Sequence, residues 1–201
     1  MIPSRQEIAY RVFGAWQLAR FDAGGKQYFD ESPQAALRSF FAAALSAPAF
    51  IITQLLIFST TTEVTTEAGA VTLMLVFALY YCLIWVVSPV ILHRICQVID
   101  RERAFFRFLS AINWSGVIAI HLHLVVTVLE ASGIVPEALG SLPGLAAIAY
   151  LLLYHWFIAR HCLDVSPLAA VGFVALDAII GVLIGNIALG LVFSPSGSPP
   201  L

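Results

Sequence analysis

Charge is what this chain has least of. Only 11% of its 201 residues are charged, while 60% are hydrophobic; a soluble domain carries about a quarter charged residues. So few charges cannot cover the outside of a soluble fold of this length. Lysine is almost missing: Lys26 stands alone among ten basic residues and the rest are Arg, a bias that points to a GC-rich, bacterial genome. Three cysteines, Cys82, Cys96 and Cys162, are too few and too scattered for a disulfide framework. There is no H-E-x-x-H, no G-x-S-x-G and no Gly-Lys phosphate loop, so hydrolase and ATPase chemistry lack visible machinery. The expectation is a non-enzyme without a cofactor. The first thirty residues lack a continuous apolar stretch, so no cleavable signal peptide is expected and the first span should be retained.

What the chain has instead is long apolar runs. Five of them, at about residues 37–58, 71–92, 108–129, 145–159 and 168–193, approach the roughly twenty residues that cross a bilayer as a helix. The expected fold class is all-α, an integral membrane bundle of five transmembrane helices. All ten basic residues fall in three clusters that can share one side of a membrane. The two intervening gaps carry Glu63, Glu67, Glu130 and Glu137 and no Lys or Arg. Because loops near spans retain positive charge on the cytoplasmic side, the pattern predicts an N-in/C-out protein of a bacterial inner membrane. No internal repeat is visible, which leaves an inverted-repeat transporter without support.

Before the first span, Ser4 and Glu7 form a possible capping box. Ile8, Val12, Trp16 and Ala19 then recur at helical spacing, while Arg5, Glu7, Arg11 and Gln17 offer polar positions. Residues 4–20 therefore read as a helix lying in the interface or as one packed on the bundle. Gly24 and Gly25 break the helix into a loop over 21–33, and Ser32–Pro33 is a helix start. Pro48 should kink the first span, and Pro89 lies near the inner end of the second. The inner loop, residues 93–107, is expected to be helical in its middle. The fourth span is expected to be short and antiparallel to the fifth across a tight turn. Residues 194–201 read as a disordered external tail.

Polar residues inside the runs carry whatever chemistry there is. Asp177 leads: it lies about nine residues into the last span, roughly 13 Å deep, where a carboxylate must face the interior, pair or take up a proton. Gly181 and Gly185 follow on its face and make a small-xxx-small pair that admits a close neighbour. Asn186 faces the other way and should bind a different helix. In the third span, Asn113, His121 and His123 are polar; the two histidines are two apart and cannot share a helix face. Gly116, His123, Thr127 and Glu130 form a stripe expected to point inward. His155, near the inner end of the fourth span, falls within about one turn of the depth of Asp177, and a hydrogen bond between them is the sharpest expectation.

At the membrane surface, His93, Cys96, His161 and Cys162 are zinc-compatible donors. Their spacing matches no zinc motif, and no metal site is expected. Arg94, Arg101, Arg103 and Arg107, interleaved with Asp100 and Glu102, serve as the orientation signal and as contacts for anionic headgroups. The inner segments exceed neutrality by three charges, ten basic against seven acidic, too few for nucleic acid.

From about Tyr28 to Gly190 the chain resembles the Yip family of multi-pass membrane proteins. The likeness lies in the RSFFAAALSAP lead-in to the first span and in the close LLLYHWFIARHCLDVSPLAAVGFVALDAIIGVLIG. An aromatic-rich fourth span, a short basic turn with a Ser and an Ala/Gly-rich last span follow the family's pattern. The D-L-Y-G-P and G-Y segments of the eukaryotic members have no counterpart, so no functional residue is carried over. The resemblance implies a non-catalytic protein that organises membranes or other proteins. The expected partners are membrane lipids and other membrane proteins or further copies of the chain. The contrasting expectation is a small transporter or channel subunit that uses Asp177 as an oligomer.

Overall fold

The structure, a computed structural model, describes residues 2–60 and 70–192. The segment around Glu63 and Glu67 and the tail 194–201 lie outside the described residues, as does Phe193, the expected end of the last span. Seven α-helices run through the rest: α1 (Arg5–Ala19), α2 (Pro33–Ser39), α3 (Phe41–Thr60), α4 (Ala70–Val98), α5 (Glu102–Ala131), α6 (Leu142–Cys162) and α7 (Pro167–Val192). No strand occurs among the described residues. Five stretches are long and apolar enough to cross a membrane, over Pro33–Ser59, Val71–Val98, Glu102–Ala131, Leu142–Cys162 and Pro167–Leu191. The protein is an all-α, multi-pass membrane bundle.

The spans come close to the sequence reading, with physical differences at their ends. α2 and α3 together make the first span, and the interruption falls at Phe40 rather than at Pro48, which sits inside α3. α4 continues past Pro89 to Val98, and α5 restarts at Glu102. The expected helical inner loop is therefore the joined ends of two long helices, separated by residues 99–101. α6 begins at Leu142, with Pro143 in its first turn, and is 21 residues long. The fourth span is thus of full length: proline at a helix start gives up an N–H that would be unpaired anyway.

Two ends of the bundle can be distinguished. The basal end carries α1 and the turns 20–32, 99–101 and 163–166. The distal end carries the end of α3, the start of α4 and the turn 132–141. α5 is central and packs on α1, α2, α3, α4 and α6, while α7 packs on α4 and α6. The α3–α5 seam is built of small residues. Ala42, Ser46, Ala49 and Thr53 are buried along one face of α3, continuing Ser39 of α2. Spaced three and four apart, they let the backbones approach closely.

α1 is capped as read: Ser4 Oγ accepts from Glu7 N at 3.1 Å. The carboxylate of Glu7, however, turns to Arg38 Nε at 3.0 Å. Arg11, Gly14, Ala15, Leu18 and Ala19 are buried, and Tyr154 and Tyr150 of α6 donate to Ala15 O (2.7 Å) and Ala19 O (2.8 Å). The expected stripe splits: Ala19 is buried, Ile8 and Val12 are half-buried and Trp16 is exposed. The residues after α1 form a 3-10 turn, Ala23–Tyr28, where an open loop was expected. Gly25 serves packing there: a methyl group on it would come within 2.7 Å of Gly14 O and 2.8 Å of Leu18 Cγ.

Candidate functional site

Four helices bring polar groups to one depth. Counting at about 1.5 Å per residue from the basal end of each helix, Ser88 of α4, Asn113 of α5, His155 of α6 and Asp177 of α7 all lie roughly 10–16 Å in. They line a cavity of about 190 Å³ walled elsewhere by Trp85, Phe108 and other apolar side chains. Asp177 is anchored: Ser88 Oγ donates to its Oδ1. Asn113 is buried and its Nδ2 donates to Ser39 Oγ at 2.8 Å, tying α5 to α2.

The expected His155–Asp177 hydrogen bond is not made. Both side chains face the cavity and also wall a second pocket of about 10 Å³ with Phe108 and Phe173. Yet the bond that Asp177 accepts comes from Ser88, and His155 Nε2 is shielded with no protein partner. Sequence depth placed the pair correctly but could not show that a hydroxyl on α4, packed against α7, would reach the carboxylate first. Trp85 is 9% exposed and its indole Nε1 is likewise buried without a partner. Ser88 and Trp85 were missed. One signal was present: Trp85 and Ser88 are three apart, on one face of the second span.

Other polar positions are dispersed. His123 is exposed rather than inward. Of its stripe, Gly116 abuts Trp85 and Thr127 is buried. Glu130 accepts from Gly144 N at 3.1 Å across the distal turn. His121 is also exposed, with Nδ1 2.7 Å from Val117 O one turn back. Asn186 is exposed, and among the described residues no hydrogen bond ties it to another helix. Gly181 and Gly185 do not mediate close packing: a Cβ on Gly181 would meet open space, and on Gly185 only Tyr80 at 3.9 Å. The small residues that do pack are on α3.

The basic residues divide sharply. Arg94, Arg101 and Arg103 are exposed, and Arg94 Nη1 donates to Gln97 at 3.2 Å. Arg107 is buried and is not a headgroup contact. It donates to Cys162 O at 2.9 Å and pairs with Asp164 at 2.6 Å and with Glu31. A guanidinium placed at the junction of α5, the α6–α7 turn and the segment before α2 satisfies several acceptors at once, as its planar fork allows. Lys26 joins from the 3-10 turn, 2.6 Å from the other oxygen of Asp164. Burial of Asp164 works to raise its carboxyl, but the hydrogen bond from Lys26 and the charges of Arg107 and Lys26 outweigh it and hold the group below its usual value. Arg11, also buried, donates to Tyr28 O and pairs with Asp30.

Among the described residues no three His, Cys, Asp or Glu side chains converge as metal ligands. His93 lies 3.5 Å from Glu102 and against Phe105, and His161 packs on Phe157. No family model matches the chain, and neither curated proteins nor solved structures offer a match.

Proposed function

We propose that the protein is a non-catalytic accessory or scaffold protein of a bacterial inner membrane, with its basal, Arg-bearing end in the cytoplasm and its C-terminus outside. It associates laterally with lipid or another membrane protein. One observation carries this reading. Toward the distal end, α3 and α4 diverge around an apolar groove of about 540 Å³, walled by Phe50, Leu55, Phe58, Met74, Phe77 and Cys82 among others. A groove in hydrocarbon takes lipid tails or the side chains of a partner. The exposed Tyr10, Phe13 and Trp16 of α1, beside Arg5 and Arg20, suit the headgroup boundary. The Yip-like close of the chain is in keeping with such a role. Purification in mild detergent tests it: a lipid or protein should accompany the wild type and be lost from Ala78→Trp, which fills the groove. A solitary, lipid-free wild type contradicts the reading.

A second reading, a small transporter or channel subunit working as an oligomer, is favoured by the intramembrane cavity at Asp177. Its test is Asp177→Asn, which abolishes proton-coupled flux if the carboxyl carries it and leaves a scaffold's partners bound.

A further inference from the structure

We infer that the α4–α7 cavity is a hydrated proton-binding site in which Asp177 and His155 share one proton through water. The inference concerns the site's chemistry and stands whether or not the protein transports anything. Three observations support it. The cavity, about 190 Å³, far exceeds the roughly 10–15 Å³ that one water needs. Its walls offer the polar partners that hold water: the Asp177 carboxyl, Ser88 Oγ and the otherwise unpartnered His155 Nε2. The indole N–H of Trp85, on the same wall, is a further donor without a partner. A buried donor or acceptor left unpaired costs about 1–3 kcal/mol, so water that reaches these groups is bound favourably.

The site is electrically isolated. Of all the residues that wall the two pockets, Asp177 on α7 and His155 on α6 are the titratable ones. α4 contributes the neutral Ser88 and Trp85, and α5 the neutral Asn113. The nearest charged group toward the basal end of α5, Arg107, is committed to Glu31 and Asp164, and His93 on α4 faces Glu102. A lone carboxylate at this depth is costly, as is a lone imidazolium. A carboxylic acid facing a neutral imidazole, or a carboxylate facing an imidazolium, keeps the pair at zero net charge. In the transfer, the Asp177 O–H bond breaks as its proton passes to a water. That water gives a proton to the lone pair of His155 Nε2, and Nδ1 keeps its hydrogen throughout. The two groups therefore titrate as one unit.

Infrared titration of the full-length protein in liposomes tests this. A protonated-carboxyl band should be present in the wild type, shift on transfer to heavy water and vanish in Asp177→Asn. Its titration midpoint should move by about one pH unit or more in His155→Gln, the coupling at which two sites behave as a pair, and stay in place in His161→Gln. If His155→Gln does not fold, nitrogen-15 spectra of the histidine-labelled wild type give the same answer: the signal of one imidazole changes over the same pH range as the carboxyl band. A band insensitive to heavy water, a midpoint unmoved by His155→Gln, or histidines that titrate independently of the carboxyl would each overturn the inference.

Discussion

At the basal end Arg11, Lys26, Arg38 and Arg107 each meet a carboxylate, and α1 lies docked on α5 and α6. Along the distal halves of the spans α3 and α4 part around a groove, Gly181 faces open space, and Met74 and Leu75 are more than three-fifths exposed. The contrast follows from the solvent each region meets: water and headgroups at the basal end, hydrocarbon along the distal halves of α3, α4 and α7. Where chain meets water and headgroups, apolar burial and paired charge both stabilise, so the segments knit together. In hydrocarbon, apolar surface gains nothing from leaving lipid, so helices hold only where small residues or polar groups bring them close. The α3–α5 seam and the Asp177 cavity are two such places.

The largest expected effect breaks the basal end. Arg107→Met removes the guanidinium and leaves Cys162 O unpaired, while the half-exposed Glu31 and Asp164 turn to water and Lys26; it should cost about 2–3 kcal/mol, read as thermal unfolding in detergent. Leu75→Ala, at the exposed distal surface, should leave unfolding nearly unchanged. Acid attacks the same knot. Asp164 is held below its usual value, so its contribution is fully present above the unfolded carboxyl's titration, near pH 4, and is lost as pH falls further through the folded value. The melting temperature should hold between pH 7 and 5 and drop in more acid buffer. In Asp164→Asn the acid-dependent part of that drop should shrink.

Smaller changes sharpen the comparison through glycine. Gly14→Ala at the basal end drives a methyl into Tyr28 and should destabilise by about 1–3 kcal/mol. Gly181→Ala has open space and should be neutral or stabilise by up to about 1 kcal/mol through helix propensity. The same unfolding curves decide both. Tyr81→Phe deletes the hydrogen bond from the phenol to Ala43 O, 2.6 Å long, the tie between α3 and α4 basal to their divergence. It should cost about 0.5–1.5 kcal/mol.

Crossing number and helix class were legible in the sequence because hydrocarbon imposes a length and a composition on any span. The depth of Asp177 and His155 was legible for the same reason: distance along a helix is a count of residues. Rotation was not. Whether Ser88 or His155 reaches Asp177, and whether Gly181 or Ala42 lies at a seam, depends on which neighbours α7 and α3 choose. In lipid no hydrophobic stripe marks that choice. Arg107 was read as a surface charge because periodicity could not show that the turn at Asp164 and the segment at Glu31 converge on it. The small residues at 39, 42, 46, 49 and 53 did carry a seam's spacing; the weight given to the glycines of the last span hid it.

Cysteine accessibility in intact cells tests the central claim most directly, that these helices cross a membrane with the charged, knotted end inside. In a background without the native cysteines, Ile134→Cys at the distal turn should react with an impermeant maleimide added from outside, and Ile99→Cys at the basal turn only after permeabilisation. Labelling of Ile99→Cys from outside while Ile134→Cys stays protected, or equal labelling of both in intact cells, would contradict the account.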